Sequence, residues 1–358
     1  MSHYIAIDKS LKLFRLSRNN WCNWFVAILT YTSFSCSQPE PVINAPIGQQ
    51  NAVWSESRYL RGHKPSTKEP LTEEHLLDYA QTLKSNNIKY AYLFAGPFQK
   101  DGHLPEYPFS KLAINNIKKL KRYYPEIVIL PWVGGIQNKT VFLDDSLWVK
   151  NALDDSQKLM RTLNVSGLHV DLEFILKGDP YLERIASDRK TGDKEVYANN
   201  VNDFHKKLRS LNPNAFISSV VVSTAPDTKP WKRKTSINEI KELIKYVDQL
   251  SFLYYDTFIS NQTVFEQNCH SQIMDIQTLR NTKLSHKVQY LMAIGTFVNE
   301  RPLRKYRDLK IENIPNSICT IKRSSLKVSQ ELQLVDGLAI YCEWETNETE
   351  WNDISKYW

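Results

Sequence analysis

From residue 52 onward the sequence alternates between short apolar runs rich in β-branched and aromatic residues and longer segments of helical period. The runs fall at 52–58, 88–95, 127–133, 165–174, 215–222, 250–255, 287–297 and 337–344, and the helical segments at 72–85, 109–123, 143–163, 196–211, 237–247, 264–279 and 324–334. Helix starts are signalled by Leu71-Thr72-Glu73-Glu74 and by Ser236-Ile237-Asn238-Glu239, the latter at capping-box spacing. Stops are marked by Tyr124-Pro125 and Asn212-Pro213. Strands alternating with helices imply right-handed βαβ units and a parallel sheet. Eight such units in about 300 residues predict an α/β fold closed into a single-domain (β/α)8 TIM barrel. Neither GxGxxG nor GxxxxGK[ST] occurs, so a nucleotide-binding α/β fold has little support.

Composition agrees with one large core. The chain has 358 residues, 42% of them hydrophobic, with 18 Tyr, 14 Phe and 9 Trp, which excludes a disordered protein. Of the formal charge of +7, residues 1–35 hold +3 (Lys9, Lys12, Arg15 and Arg18 against Asp8), leaving about +4 on the rest. So small an excess gives no argument for nucleic acid, and the one basic loop, 229–234, reads as a solvated surface.

The strand at 165–174 holds the densest chemistry. Alternation along it sends His169, Asp171 and Glu173 to one face and Leu168, Val170 and Leu172 to the other. Two carboxylates and an imidazole in an apolar strand are costly to bury unless they are paired or used. The strand ends at Glu173 before the polar Lys177-Gly178-Asp179-Pro180 loop, which puts an acid at the C-terminal mouth, where barrel enzymes keep their chemistry. The plainer alternative is a half-exposed antiparallel strand with a solvated polar face. Other strand ends share the character of this one: Trp132-Val133-Gly134-Gly135, Tyr254-Tyr255-Asp256, Gly295-Thr296-Phe297, and Tyr341-Cys342-Glu343-Trp344-Glu345. Rings and carboxylates around one mouth suit sugars, whose C–H faces stack on aromatics while their hydroxyls take hydrogen bonds.

The amino terminus reads as a leader. A basic stretch, 9–18, precedes a mostly apolar run, 21–34, long enough for a signal h-region and short for a spanning helix. Ser33-Phe34-Ser35-Cys36 is similar to a bacterial lipoprotein signal, with Cys36 as the lipidated residue; cleaved secretion and an uncleaved anchor are the alternatives. Residues 1–35 are therefore expected to be a leader, 36–50 a flexible tether rich in Pro, Asn and Gln, and 51–358 the barrel. The protein is expected to be exported, and to meet membrane only through this terminus. The five cysteines show no metal spacing and are too few for a disulfide scaffold, leaving room for one bridge. Four sequons, at Asn138, Asn164, Asn261 and Asn347, are read as coincidental beside a bacterial-type leader, Asn164 opening a buried strand.

Those strand-end residues resemble glycoside hydrolase family 18, which holds chitinases and endo-β-N-acetylglucosaminidases. The family's DGxDxDxE is similar to Ser166-Gly167-Leu168-His169-Val170-Asp171-Leu172-Glu173, which keeps the glycine and the last two acids. Its SxGG resembles Trp132-Val133-Gly134-Gly135, its MxYD Leu253-Tyr254-Tyr255-Asp256, and its closing strand Gly337-Leu338-Ala339-Ile340-Tyr341, with Tyr341 where the family has Trp. The resemblance implies that Glu173 is the general acid and that Asp171 orients the substrate's 2-acetamido group. The carbonyl of that group then attacks the anomeric carbon, Tyr255 hydrogen-bonds it, and Asp256 contacts the sugar. His169, Trp132, Tyr341, Trp344 and Glu343 complete the expected substrate-binding set. Repulsion between acids two residues apart raises one pKa, so that an acid stays protonated near neutral pH.

The main departure is His169, where the family has an inner Asp sharing a proton with the next acid. A histidine there can hydrogen-bond Asp171 and, if charged, lower its pKa. Two other readings stand beside the hydrolase. One is a carbohydrate-binding barrel without turnover; the other is a barrel hydrolase using Glu173 and Glu343 as a direct carboxylate pair, which needs a separation of about 5–10 Å. No cofactor and no metal are expected, and a monomer binding a carbohydrate substrate is.

Overall fold

The computed structural model describes residues 45, 47–137, 139–173, 194–223, 234–299 and 307–358. Eight parallel strands, β1 (Asn51–Ser55), β2 (Ile88–Pro97), β3 (Trp132–Ile136, preceded by the short piece Val128–Ile129), β4 (Gly167–Glu173), β5 (Phe216–Val221), β6 (Gln249–Leu253), β7 (Gln289–Gly295) and β8 (Gly337–Tyr341), pair in chain order. β1 pairs with both β2 and β8, so the sheet closes. The expected (β/α)8 barrel is what forms, within the compact unit Glu40–Trp358.

Nine helices surround it among the described residues: α1 (Arg58–Arg61), α2 (Glu73–Ser85), α3 (Lys111–Tyr123), α4 (Ser146–Leu163), α5 (Lys194–Leu211), α6 (Ile237–Leu243), α7 (Gln262–Arg280), α8 (Ile314–Val328) and α9 (Glu348–Tyr357). α3 and α5 end just before Tyr124-Pro125 and Asn212-Pro213, as the residue before proline avoids helical angles. Thr72 and Ser236 are N-caps, with His75 and Glu239 closing capping boxes.

Three expectations are corrected. β3 is not continuous: Pro131 lacks an N–H, and the strand breaks there, although the Pro131 carbonyl still accepts from His169 N–H at 3.0 Å. The helix placed at 324–334 lies ten residues earlier, starting at Asn313, whose side chain caps Asn316 N–H, with a proline in its first turn. A final helix, α9, was not anticipated. Asn347 and Glu350 form its capping box, and Trp358 beyond it donates to the Gly48 carbonyl at 3.2 Å. Gly48 and Gln50 in turn donate to the Val335 and Asp336 carbonyls, so residues 48–50 are fixed to the barrel.

Two apolar layers follow from strand alternation. Val53, Ala91, Val133, Leu168, Val170 and Leu338 face the helices, while Trp54, Tyr90, Tyr92, Leu291, Ala293 and Ala339 line the interior. On β4 the predicted register holds: Leu168, Val170 and Leu172 pack in the outer layer. Cys269, Cys319 and Cys342 are buried thiols, so the body contains no bridge among them. No described helix is long and apolar enough to cross a membrane; residues 1–44, Cys36 included, lie outside the described residues.

The interior also holds a polar column. Trp54 Nε1 donates to His169 Nε2 at 3.0 Å, and His169 Nδ1 meets Ser218 Oγ at 2.8 Å. Ser218 and Tyr92 both donate to Gln249 Oε1, at 2.8 and 2.5 Å. Gln249 Nε2 then donates to Gln289 Oε1 at 2.9 Å, and Gln289 Nε2 to Tyr90 Oη at 3.0 Å. Each group finds a partner, which is the condition for burying it.

Candidate active site

The inward residues of β4 are graded in depth: His169 has no exposed surface, Asp171 is half-buried and Glu173 is exposed. β3 lies against this strand, with Gly134 paired to Asp171 and Gly135 to Leu172. At Gly134, where φ is 154°, a Cβ would lie 1.8 Å from the Asp171 carbonyl oxygen, so only glycine permits this approach. The glycine pair therefore fixes the backbone beneath the acids. On the same strand Trp132 Nε1 donates to Asp171 Oδ2 at 3.2 Å. The residue expected to stack on sugar thus also anchors a carboxylate.

His169 sits lower. Its ring stacks on Tyr92 at 3.8 Å and 9°, and burial holds its pKa well below the usual 6.5. Since Trp54 N–H fills Nε2, the proton of this neutral ring resides on Nδ1, toward Ser218. Both nitrogens are engaged inside the barrel. The anticipated hydrogen bond to Asp171 is replaced by these two, and a neutral imidazole exerts no charge on that acid.

Above this layer the rings gather. Tyr255 and Tyr341 stack at 5.1 Å and 8°. Trp54 packs edge-on to both, at 6.5 and 5.9 Å, and Trp344 meets Tyr341 at 5.5 Å. Trp132 lies edge-on to Tyr341 at 6.5 Å. Burial pushes the Tyr255 phenol well above 10, and the charges of Tyr341, Asp256, Asp171 and Glu173 raise it further. Asp171, Glu173 and Tyr255 therefore share one field, in which Tyr255 stays a neutral hydroxyl donor. Tyr254 points the other way, stacked on Phe265 at 4.5 Å.

Two further carboxylates at the strand ends are engaged with the wall. Glu343 Oε1 accepts from Arg58 Nη2 at 2.8 Å and from Tyr59 Oη at 2.6 Å. Glu345 Oε2 accepts from the N–H groups of Val298 and Asn299, at 2.8 and 2.6 Å. Asp256 is buried, with φ of 48°, and its N–H donates to Glu312. The peptide bond Tyr341–Cys342 is cis, and Thr296 Oγ1 bonds the N–H of Cys342 at 2.9 Å. Trp54, Arg58 and Glu312 were missed in the sequence; only the place of Trp54 on an inward strand position could have flagged it. Among the described residues, no cluster of three His, Cys, Asp or Glu side chains could hold a metal.

The profile of glycosyl hydrolases family 18 matches residues 64–355. No curated protein matches the chain in sequence. Similar solved structures include the spore cortex-lytic enzyme SleL of Bacillus cereus, with a TM-score of 0.54 and 11% identity over 88% of this chain and 75% of that one. A Group IV chitinase of Ostrinia furnacalis gives 0.55 and 12% over 86% and 98%. A family 18 chitinase of Cycas revoluta, solved with (GlcNAc)4, gives 0.55 and 10% over 86% and 99%. At such identities the likeness is one of fold, and the profile match over most of the chain makes this protein a member of glycosyl hydrolase family 18.

Proposed function

We propose that the protein hydrolyses glycans containing N-acetylhexosamine, of the chitin, N-glycan or peptidoglycan kind, by substrate-assisted retaining hydrolysis. Glu173 gives its proton to the glycosidic oxygen as the bond to the anomeric carbon breaks. The substrate's own acetamido oxygen bonds to that carbon from the opposite face, oriented by Asp171, while the Tyr255 hydroxyl donates to it. Water, losing a proton to the Glu173 carboxylate, then opens the cyclic intermediate with retention. The observation that supports this most is the shared field of Asp171, Glu173 and Tyr255 beneath an aromatic mouth. Product analysis on chitin oligomers, N-glycans and peptidoglycan, beside Glu173→Gln, tests it. Retained products from the wild type and none from the variant are expected; identical products from both would overturn it.

A second reading, a carbohydrate-binding barrel without turnover, is favoured by His169. Locked and neutral, it gives Asp171 no second carboxylate with which to share a proton. Glycan binding that is equal in wild type and Glu173→Gln, with no products, would select it. We further propose export with Cys36 lipidated. Cys36→Ala should abolish lipid labelling, and Met1 intact on a soluble folded product would count against export.

A further inference from the structure

The turn after β6, which follows Tyr255, has a backbone that side chains resist. Asp256 and Phe258 have φ of 48° and 58°, in the left-handed region. Such a turn persists only where its surroundings over-determine it. Glu312, 56 residues away, grips it: Oε1 accepts from Asp256 N–H and Oε2 from Thr257 N–H, each at 2.7 Å, and Oε2 also accepts from the Thr257 hydroxyl. Arg307 donates to the Glu312 carbonyl through Nε and Nη2, at 3.0 and 2.7 Å. Its Nη1 donates to the Phe297 carbonyl, and its guanidinium lies 5.1 Å from the Phe297 ring centroid. Phe297 in turn packs edge-on against Tyr255 and Tyr341, at 5.9 and 5.7 Å. The ends of β6 and β7 are thus tied together around Tyr255.

We propose that Glu312 is a positioning residue: with Arg307 it fixes the 256–258 turn and so aims the Tyr255 hydroxyl at the substrate's acetamido carbonyl. This rests on the substrate-assisted reading above. The clamp works best as a carboxylate, with acceptors on both oxygens; a protonated oxygen leaves one backbone N–H poorly served. Burial pushes the Glu312 carboxyl up to about 7; the Thr257 bonds and Arg307 oppose the rise, and Asp256 adds to it. Arg307 itself faces Glu345, Glu350 and Cys342. The grip therefore strengthens as pH rises through about 7.

The test is a double-mutant cycle on a chitin tetramer with Glu312→Gln, Tyr255→Phe and the pair. Glu312→Gln should lower kcat by roughly 10–100-fold with KM within about twofold, and by less than about threefold in the Tyr255→Phe background. The limb of kcat/KM near pH 7 should vanish in the Gln variant. Thr257→Val removes one of the three bonds and should lower kcat by about threefold, so it serves if Glu312→Gln does not fold. Wild-type kcat in the Gln variant, or an equal fall in both backgrounds, would overturn the proposal. If the wild type hydrolyses nothing, the hydrolase reading fails on its own. The same cycle is then read in tetramer affinity by calorimetry, where weakening confined to the Tyr255 background keeps the clamp and no weakening removes it.

Discussion

Two layers of the barrel, two to four residues apart along β4, use polar groups in opposite ways. In the lower layer His169, Ser218 and Gln249 are fully enclosed, and with the half-buried Gln289 they spend their hydrogen bonds on one another. At the mouth Asp171 is half-buried and Glu173 exposed, beside the half-buried stacked rings of Tyr255 and Tyr341. The same strand face thus passes from enclosed wall to solvent within five residues. Depth decides which: a polar group that must be satisfied internally becomes a strut, and one that meets solvent can meet substrate. The mouth carboxylates divide in the same manner, since Glu312, Glu343 and Glu345 hold protein groups in place.

The sharpest way to break this comparison is to substitute one residue from each layer. At the mouth, Glu173→Gln keeps shape but removes the proton, so turnover should fall by about 10²–10⁴-fold, equivalent to roughly 3–5 kcal/mol, with stability nearly unchanged. In the wall the signature should invert. His169→Ala strands the Trp54 N–H, leaves Ser218 without its imidazole and opens a void against Tyr92. A loss of about 3–4 kcal/mol in urea unfolding is expected, with kcat of the folded protein changed little. A variant at 169 that loses turnover without losing stability would erase the distinction.

Stability against pH sharpens it next. His169 and His205 are buried, and burial lowers both, His205 to about 4. A depressed histidine adds stability above its unfolded value of about 6.5 that is lost as pH falls below it, by up to about 3 kcal/mol for His205 at pH 4. Glu312 has the opposite sign: raised to about 7, it adds stability below about 4.5 that is lost as pH rises to 7. Urea midpoints measured from pH 4 to 8 should therefore show Glu312→Gln removing the decline toward neutrality while leaving the acid limb. The smallest effect belongs to the outer shell. Asn347→Ala removes the α9 cap and should cost about 1 kcal/mol in thermal unfolding with activity intact.

What the sequence disclosed and withheld follows from range. β4 was legible because alternation between apolar and polar residues is local, and α3 and α5 stopped where proline required it. α8 was misplaced because Ser317, Thr320, Lys322, Ser324 and Ser325 are all buried, which blurs its apolar stripe. α9 was missed because only Trp351, Ile354 and Tyr357 mark its buried face among polar neighbours. The acids and Tyr255 were found through strand ends. The grip of Glu312 on Asp256 and the pairing of Trp54 with His169, 115 residues apart, had no local signature, because tertiary closure alone creates them.

One comparison of rates tests substrate assistance most directly. A chitin tetramer and a glucose tetramer of equal length are offered to the wild type and to Asp171→Asn, and hydrolysis is followed with the anomeric form of the product. The acetamido tetramer should be cleaved with retention by the wild type and about 10²–10⁴-fold more slowly by Asp171→Asn, and the glucose tetramer should not be cleaved at all, since it brings no internal nucleophile. Cleavage of both tetramers at similar rates, indifferent to Asp171, would contradict substrate assistance and point instead to Glu173 working with Glu343 as a direct carboxylate pair.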